Sequence, residues 1–71
     1  MTGAEFIRRL RRLGRERGIA VTFDERRGKG SHGTLYFGSR ATVVKDRKKE
    51  LGAGLLTDML KQLGLTRADL S

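Results

Sequence analysis

The chain contains no cysteine. Neither disulfides nor thiolate metal sites can hold a small fold together, so the apolar core must suffice, alone or helped by a partner. Histidine occurs once, as His32, and one imidazole without thiolates falls short of a zinc site. No metal or other cofactor is therefore expected. No stretch approaches the roughly 18 consecutive apolar residues of a membrane span. The arginines near the start are not followed by the apolar segment that a secretory signal needs. These absences set the expectation of a soluble, cytoplasmic protein with no membrane attachment. Carboxylates are scarce: eight Asp and Glu stand against sixteen Lys and Arg, for a formal charge of +8. A surface of that sign attracts polyanions, nucleic acid foremost in a cytoplasm, although plain solubility or an acidic protein partner would use it too. At 71 residues there is room for one small domain, 1–71, with a modest core.

The apolar residues that are present fall into periodic runs. In "MTGAEFIRRLRRLGRERG" Phe6, Ile7, Leu10 and Leu13 share one helical face, and Arg8, Arg9, Arg11, Arg12 and Arg15 cover the rest. Thr2 and Glu5 have capping-box spacing, and Gly18 is placed to end the helix. The run "IAVTFDERR" alternates, with Ile19, Val21 and Phe23 on one side. A polar, glycine-rich loop follows, from about Arg26 to Gly33. "TLYFG" alternates again, with Leu35 and Phe37 inward and Tyr36 outward. Gly38 and Ser39 suggest a tight hairpin turn before "RATVVK", a third strand rich in β-branched residues. A second helix is expected from about Ala53, with Leu51, Leu55, Met59 and Leu63 spaced by four and Leu56 and Leu60 widening the stripe into core. Gly64 would cap it, Leu65 would pack back on its end, and Thr66 with Asp69 would cap a last short turn.

The predicted fold is α+β: an α-β-β-β-α order, with a three-stranded antiparallel sheet and both helices packed on one of its faces. Thr22, Asp24, Thr34 and Tyr36 would lie on the other face, which is left to solvent or a partner. This is the order of the double-stranded-RNA-binding domain.

The loop reads "GKGSHG", residues 28–33, a G-x-G-x-x-G pattern. A dinucleotide fingerprint follows a strand, opens a helix and has an acidic residue about 20 positions on. Here a strand-like run follows, and Ala53 stands at that distance. A kinase glycine loop would need a catalytic domain too large for this chain. Both nucleotide readings are rejected.

Read together, the "T-x-x-E-x-I-R-x-L" start, Gly30-Ser31-His32 in the loop, Lys49-Glu50-Leu51 and the "LKQLGL" of residues 60–65 resemble the HicA-type mRNA interferase toxins, also called the YcfA-like family. The resemblance covers nearly the whole chain. It implies the toxin of a toxin–antitoxin system in a bacterial or archaeal cytoplasm, an endoribonuclease that cuts messenger RNA with the loop histidine as its essential group. It also implies a HicB-type antitoxin that blocks the site, and a protein of charge +8 calls for an antitoxin that is acidic where it covers the loop. One departure stands out: many members carry a P-x-H pattern after the third strand, where this chain has "KDRKKE".

The residue chemistry fits that implication. RNA supplies its own nucleophile, the 2′-OH. Metal-free cleavage then needs a base for that proton, an acid for the leaving 5′-oxygen, and cations to offset the charge on the phosphorane. His32 is the side chain suited to proton transfer near neutral pH, as general base or acid. Lys29, Gly30 and Ser31 are the expected RNA contacts within the loop. Lys45, Arg47 and Lys48 would join them if the third strand lies beside it. The second proton-transfer group has no candidate histidine. A different class of protein, a non-catalytic RNA-binding module of the same fold, would use the same cations without the chemistry, and a protein-interaction domain that never meets RNA is the third reading. The arginines of residues 8–15 are either a solvated helix face or a further RNA contact.

Overall fold

A computed structural model describes residues 1–25 and 32–70. Helix α1 spans Gly3–Arg17. Strands β1 (Val21–Asp24), β2 (Gly33–Phe37) and β3 (Arg40–Val44) follow, then helix α2 (Ala53–Gln62) and a 3-10 turn (Arg67–Leu70). The expected α-β-β-β-α order is the observed one.

The start of α1 is set by Thr2, whose hydroxyl accepts from the Glu5 backbone N–H at 3.2 Å. That is one half of the capping box; the Glu5 carboxylate lies instead 3.6 Å from Arg8 and 3.9 Å from Arg9. Phe6, Ile7, Leu10 and Leu13 are all buried, as their spacing requires. The strands form one antiparallel sheet in the order β1-β2-β3. Gly38 and Ser39 make the two-residue turn that closes Phe37 against Arg40.

The register sorts the side chains by face. Val21, Phe23, Leu35, Phe37, Thr42 and Val44 occupy positions on the helix side. Thr22, Asp24, Thr34, Tyr36, Ala41 and Val43 occupy the other face, as the alternation predicts. The core joins both helices to that inner face, and Phe6, Leu10, Leu35, Val44 and Leu60 are its most enclosed members. Each such side chain contributes about 1.5–3 kcal/mol of burial, in a chain with no crosslink to add to it. Thr42 is buried among them, and its hydroxyl donates to Gln62 on α2.

One expectation for α2 fails. Met59, Leu60 and Leu63 are buried and Leu51 and Leu56 pack against the core, but Leu55 is 49% exposed. Leu51 lies ahead of the helix, so the spacing by four counted from it does not trace a helical face. The true stripe is 56, 59, 60, 63, and Leu55 sits about 100° round from Leu56. Beyond α2, Gly64 adopts φ 73, the Gly64 N–H reaches the Lys61 carbonyl at 3.0 Å, and the Leu65 N–H reaches the Leu60 carbonyl at 2.8 Å. These are the two bonds of a Schellman motif, with Leu65 buried against the helix end.

The last turn is a complete cap. The Asp69 carboxylate accepts from the Thr66 backbone N–H at 2.8 Å and from Arg17 at 2.5 Å. The Thr66 N–H and then the Arg17 guanidinium hold its pKa below the ordinary value. None of the described helices is long and apolar enough to cross a membrane.

Candidate nucleic-acid interface

The geometry of interest gathers where β1 ends, β2 begins and β3 ends. The last ladder pair there is Gly33 with Val44. His32 and Lys45 are the next residues on each side, so they leave the sheet together. Gly33 and Val44 face the helices, and His32 and Lys45 lie just outside the ladder that this pair closes. Both are exposed. The only imidazole of the chain is therefore exposed at the end of the sheet, one residue beyond the ladder, as is Lys45 on the neighbouring strand.

The segment after β3 does not hang free. The start of α1 clamps it: the Ala4 N–H donates to the Arg47 carbonyl at 2.9 Å, and the Gly3 N–H to the Lys49 carbonyl at 3.3 Å. Thr2 bridges to Glu50, and the Leu51 N–H donates to the Met1 carbonyl at 2.8 Å. A Cβ on Gly3 would lie 2.8 Å from the Asp46 carbonyl oxygen and 2.9 Å from the Arg47 Cα, so glycine is what lets the helix approach so closely. Asp46 shapes the bend by accepting from the Lys48 N–H at 2.9 Å.

This clamp separates the expected cations. Lys45 follows directly on the Gly33–Val44 pair, as His32 precedes it. Lys48 is exposed on the bend. Arg47 turns to the helix side, where it pairs with Glu25 at 2.9 Å and its guanidinium carbon lies 5.3 Å from the centre of the Phe23 ring. Lys29, Gly30 and Ser31 lie outside the described residues. Among the described residues no three His, Cys, Asp or Glu side chains gather in a way that could hold a metal ion. Compared with protein-family models, curated proteins and solved structures, the chain finds no match.

Two residues of this region are not singled out by sequence. Glu25 reads there only as part of a strand-like run, yet it is the partner of Arg47. Phe23 is expected as an inward strand residue, and it is also the surface on which Arg47 rests. The visible signal is an aromatic and a carboxylate two positions apart at the end of a strand. Tyr36 is 40% exposed on the open face, between Thr22 and Ala41 in the register.

Proposed function

We propose that this chain is a metal-independent endoribonuclease of the toxin type, cutting messenger RNA with His32 as the proton-transferring group. The observation that carries the reading is the placement of His32: exposed, at the end of the sheet, with Lys45 leaving the neighbouring strand beside it. The motifs similar to those of HicA-type toxins support it, and the α-β-β-β-α order is the one that the resemblance implies.

The chemistry runs from the RNA itself. The 2′-oxygen attacks the adjacent phosphorus, and its proton passes to a base. The bond from phosphorus to the 5′-oxygen breaks, and that oxygen takes a proton from an acid. The products are a 2′,3′-cyclic phosphate and a free 5′-hydroxyl. Neutral His32 serves the first step or its imidazolium serves the second, with water completing the pair. Lys45 offsets charge on the phosphorane oxygens. In the cell a HicB-type antitoxin, acidic where it meets this end of the sheet, would silence the site.

The test is an RNA-cleavage time course in EDTA with wild type and His32→Ala. Cleavage by the wild type alone is expected. Cleavage by both removes His32 from the mechanism. Binding by both without cleavage favours the second reading, a non-catalytic RNA-binding module, which the arginine-rich α1 would serve equally well.

A further inference from the structure

Helix α1 carries six arginines and no lysine, and its two charged flanks differ. The flank toward the last turn is balanced by carboxylates: Glu5 lies near Arg8 and Arg9, Glu16 is 3.3 Å from Arg12, and Asp69 is 2.5 Å from Arg17. The flank toward β1 is not. There Arg11 and Arg15, with Arg8 at the border between the two flanks, line a groove floored by Ile7 and Phe23. Arg11 and Arg15 also border its continuation over Ile19, Ala20 and Val21. Among the described residues neither Arg11 nor Arg15 has a carboxylate partner. The Glu25–Arg47 pair stands at one end of the groove. That is the end of the sheet from which His32 and Lys45 emerge.

The dimensions match a nucleic-acid strand. Arg8 to Arg15 covers seven residues, about 10 Å of helix at ~1.5 Å per residue. A strand carries one phosphate per ~3.4 Å of rise, so about three phosphates face three guanidinium groups. Arginine, rather than lysine, presents a planar fork that takes two phosphate oxygens at once. The apolar floor between the arginines suits ribose and base surfaces. Because β1 is an edge strand, no further strand among the described residues covers that side.

We propose that the groove between α1 and β1 holds the phosphodiester backbone of one RNA strand, anchored by Arg11 and Arg15 and leading to the end of the sheet that bears His32. This rests on the reading of RNA as the substrate, but not on cleavage.

The experiment measures anisotropy of a labelled single-stranded RNA oligonucleotide across a salt series. His32→Ala is the background, so that the RNA stays whole. Adding Arg11→Ala with Arg15→Ala should weaken binding at least about tenfold at 0.1 M salt and lower the slope of log K against log salt by about 1.4, two contacts at ~0.7 each. Arg11→Lys with Arg15→Lys should keep the slope, which separates lost contacts from lost folding. Arg9→Ala with Arg12→Ala, on the balanced flank, should change the slope little. Equal losses for the two alanine pairs would reduce the groove to general charge and overturn the proposal. So would poly-glutamate that binds tighter than the RNA and is released by the same Arg11 and Arg15 substitutions, which would make the occupant an acidic protein. Cleavage by the wild type with an unchanged slope in the groove variant would sink the groove alone. The expected slope change without cleavage by the wild type would sink the nuclease reading alone.

Discussion

Gly33 is the third glycine of the G-x-G-x-x-G pattern, and the fold gives it a steric reason. A Cβ there would lie 2.4 Å from the Phe23 ring on the adjacent strand. The ring covers the glycine, and Arg47 in turn rests on the ring. Gly33→Ala is expected to displace the ring and cost about 1–3 kcal/mol, read as a lower urea midpoint. Phe23→Leu in the Gly33→Ala protein should recover part of the loss, because the smaller side chain leaves room. A Gly33→Ala protein as stable as wild type would show that the ring is free to move aside at no cost. In the sequence Gly33 reads only as the last glycine of the loop. Its actual neighbour stands ten residues back in the chain, and only the β1–β2 register reveals that contact. His32 is the opposite case. Its exposure and its position beside Lys45 follow from counting outward from the hairpin turn, a local inference that needs no side-chain packing.

The elements themselves are legible in the sequence because each carries its own boundary signal. Thr2 starts α1, the Gly38–Ser39 pair closes the hairpin, and Gly64 stops α2. What the sequence hides is decided between elements. The burial of the α2 stripe depends on where the helix starts, so counting from Leu51 misplaces Leu55. The tie between the last turn and α1 joins Asp69 to Arg17 across 52 residues of sequence, which no periodicity announces. That tie has a pH signature. The pKa of Asp69 is depressed in the folded state, first by the Thr66 N–H and then by Arg17. A depressed carboxylate adds stability that is present above its unfolded pKa, near the ordinary value of 3.8, and is lost as pH falls through the lower folded value. Thermal unfolding of wild type and Asp69→Asn should therefore differ by a constant amount at neutral and mildly acid pH. The gap should narrow as the pH falls below about 3.8 and be smallest once it is below the folded value. A gap that persists to the lowest pH at which the fold survives would mean that the carboxylate's charge adds nothing to the cap.

For the molecule as a whole, charge competes with a small core. The chain carries +8 on a body with principal extents of 30 × 25 × 17 Å. At about 10 mM salt the screening length is roughly 30 Å, so each cation feels most of the others; at about 0.1 M it falls to roughly 10 Å. Raising the salt over that range thus removes most of the long-range repulsion. It also weakens the surface ion pairs, such as Arg12 with Glu16 and Arg47 with Glu25, but exposed pairs contribute only about 0–1 kcal/mol each. With sixteen basic side chains against eight acidic ones, the repulsion outweighs those pairs. The unfolding temperature is expected to rise with sodium chloride from low to moderate concentration. A release of about 1 kcal/mol would appear as about 4–8 °C in a domain of this size. Arg11→Ala with Arg15→Ala removes two unpaired cations from one flank, so that protein should start from a higher low-salt midpoint and gain less from added salt. A midpoint that falls with salt in both proteins would show that the ion pairs along α1 and at Arg47 outweigh the net charge. In that case Arg47 and the paired arginines of α1 would be part of what holds the fold, and Arg11 and Arg15, which have no carboxylate partner among the described residues, would not.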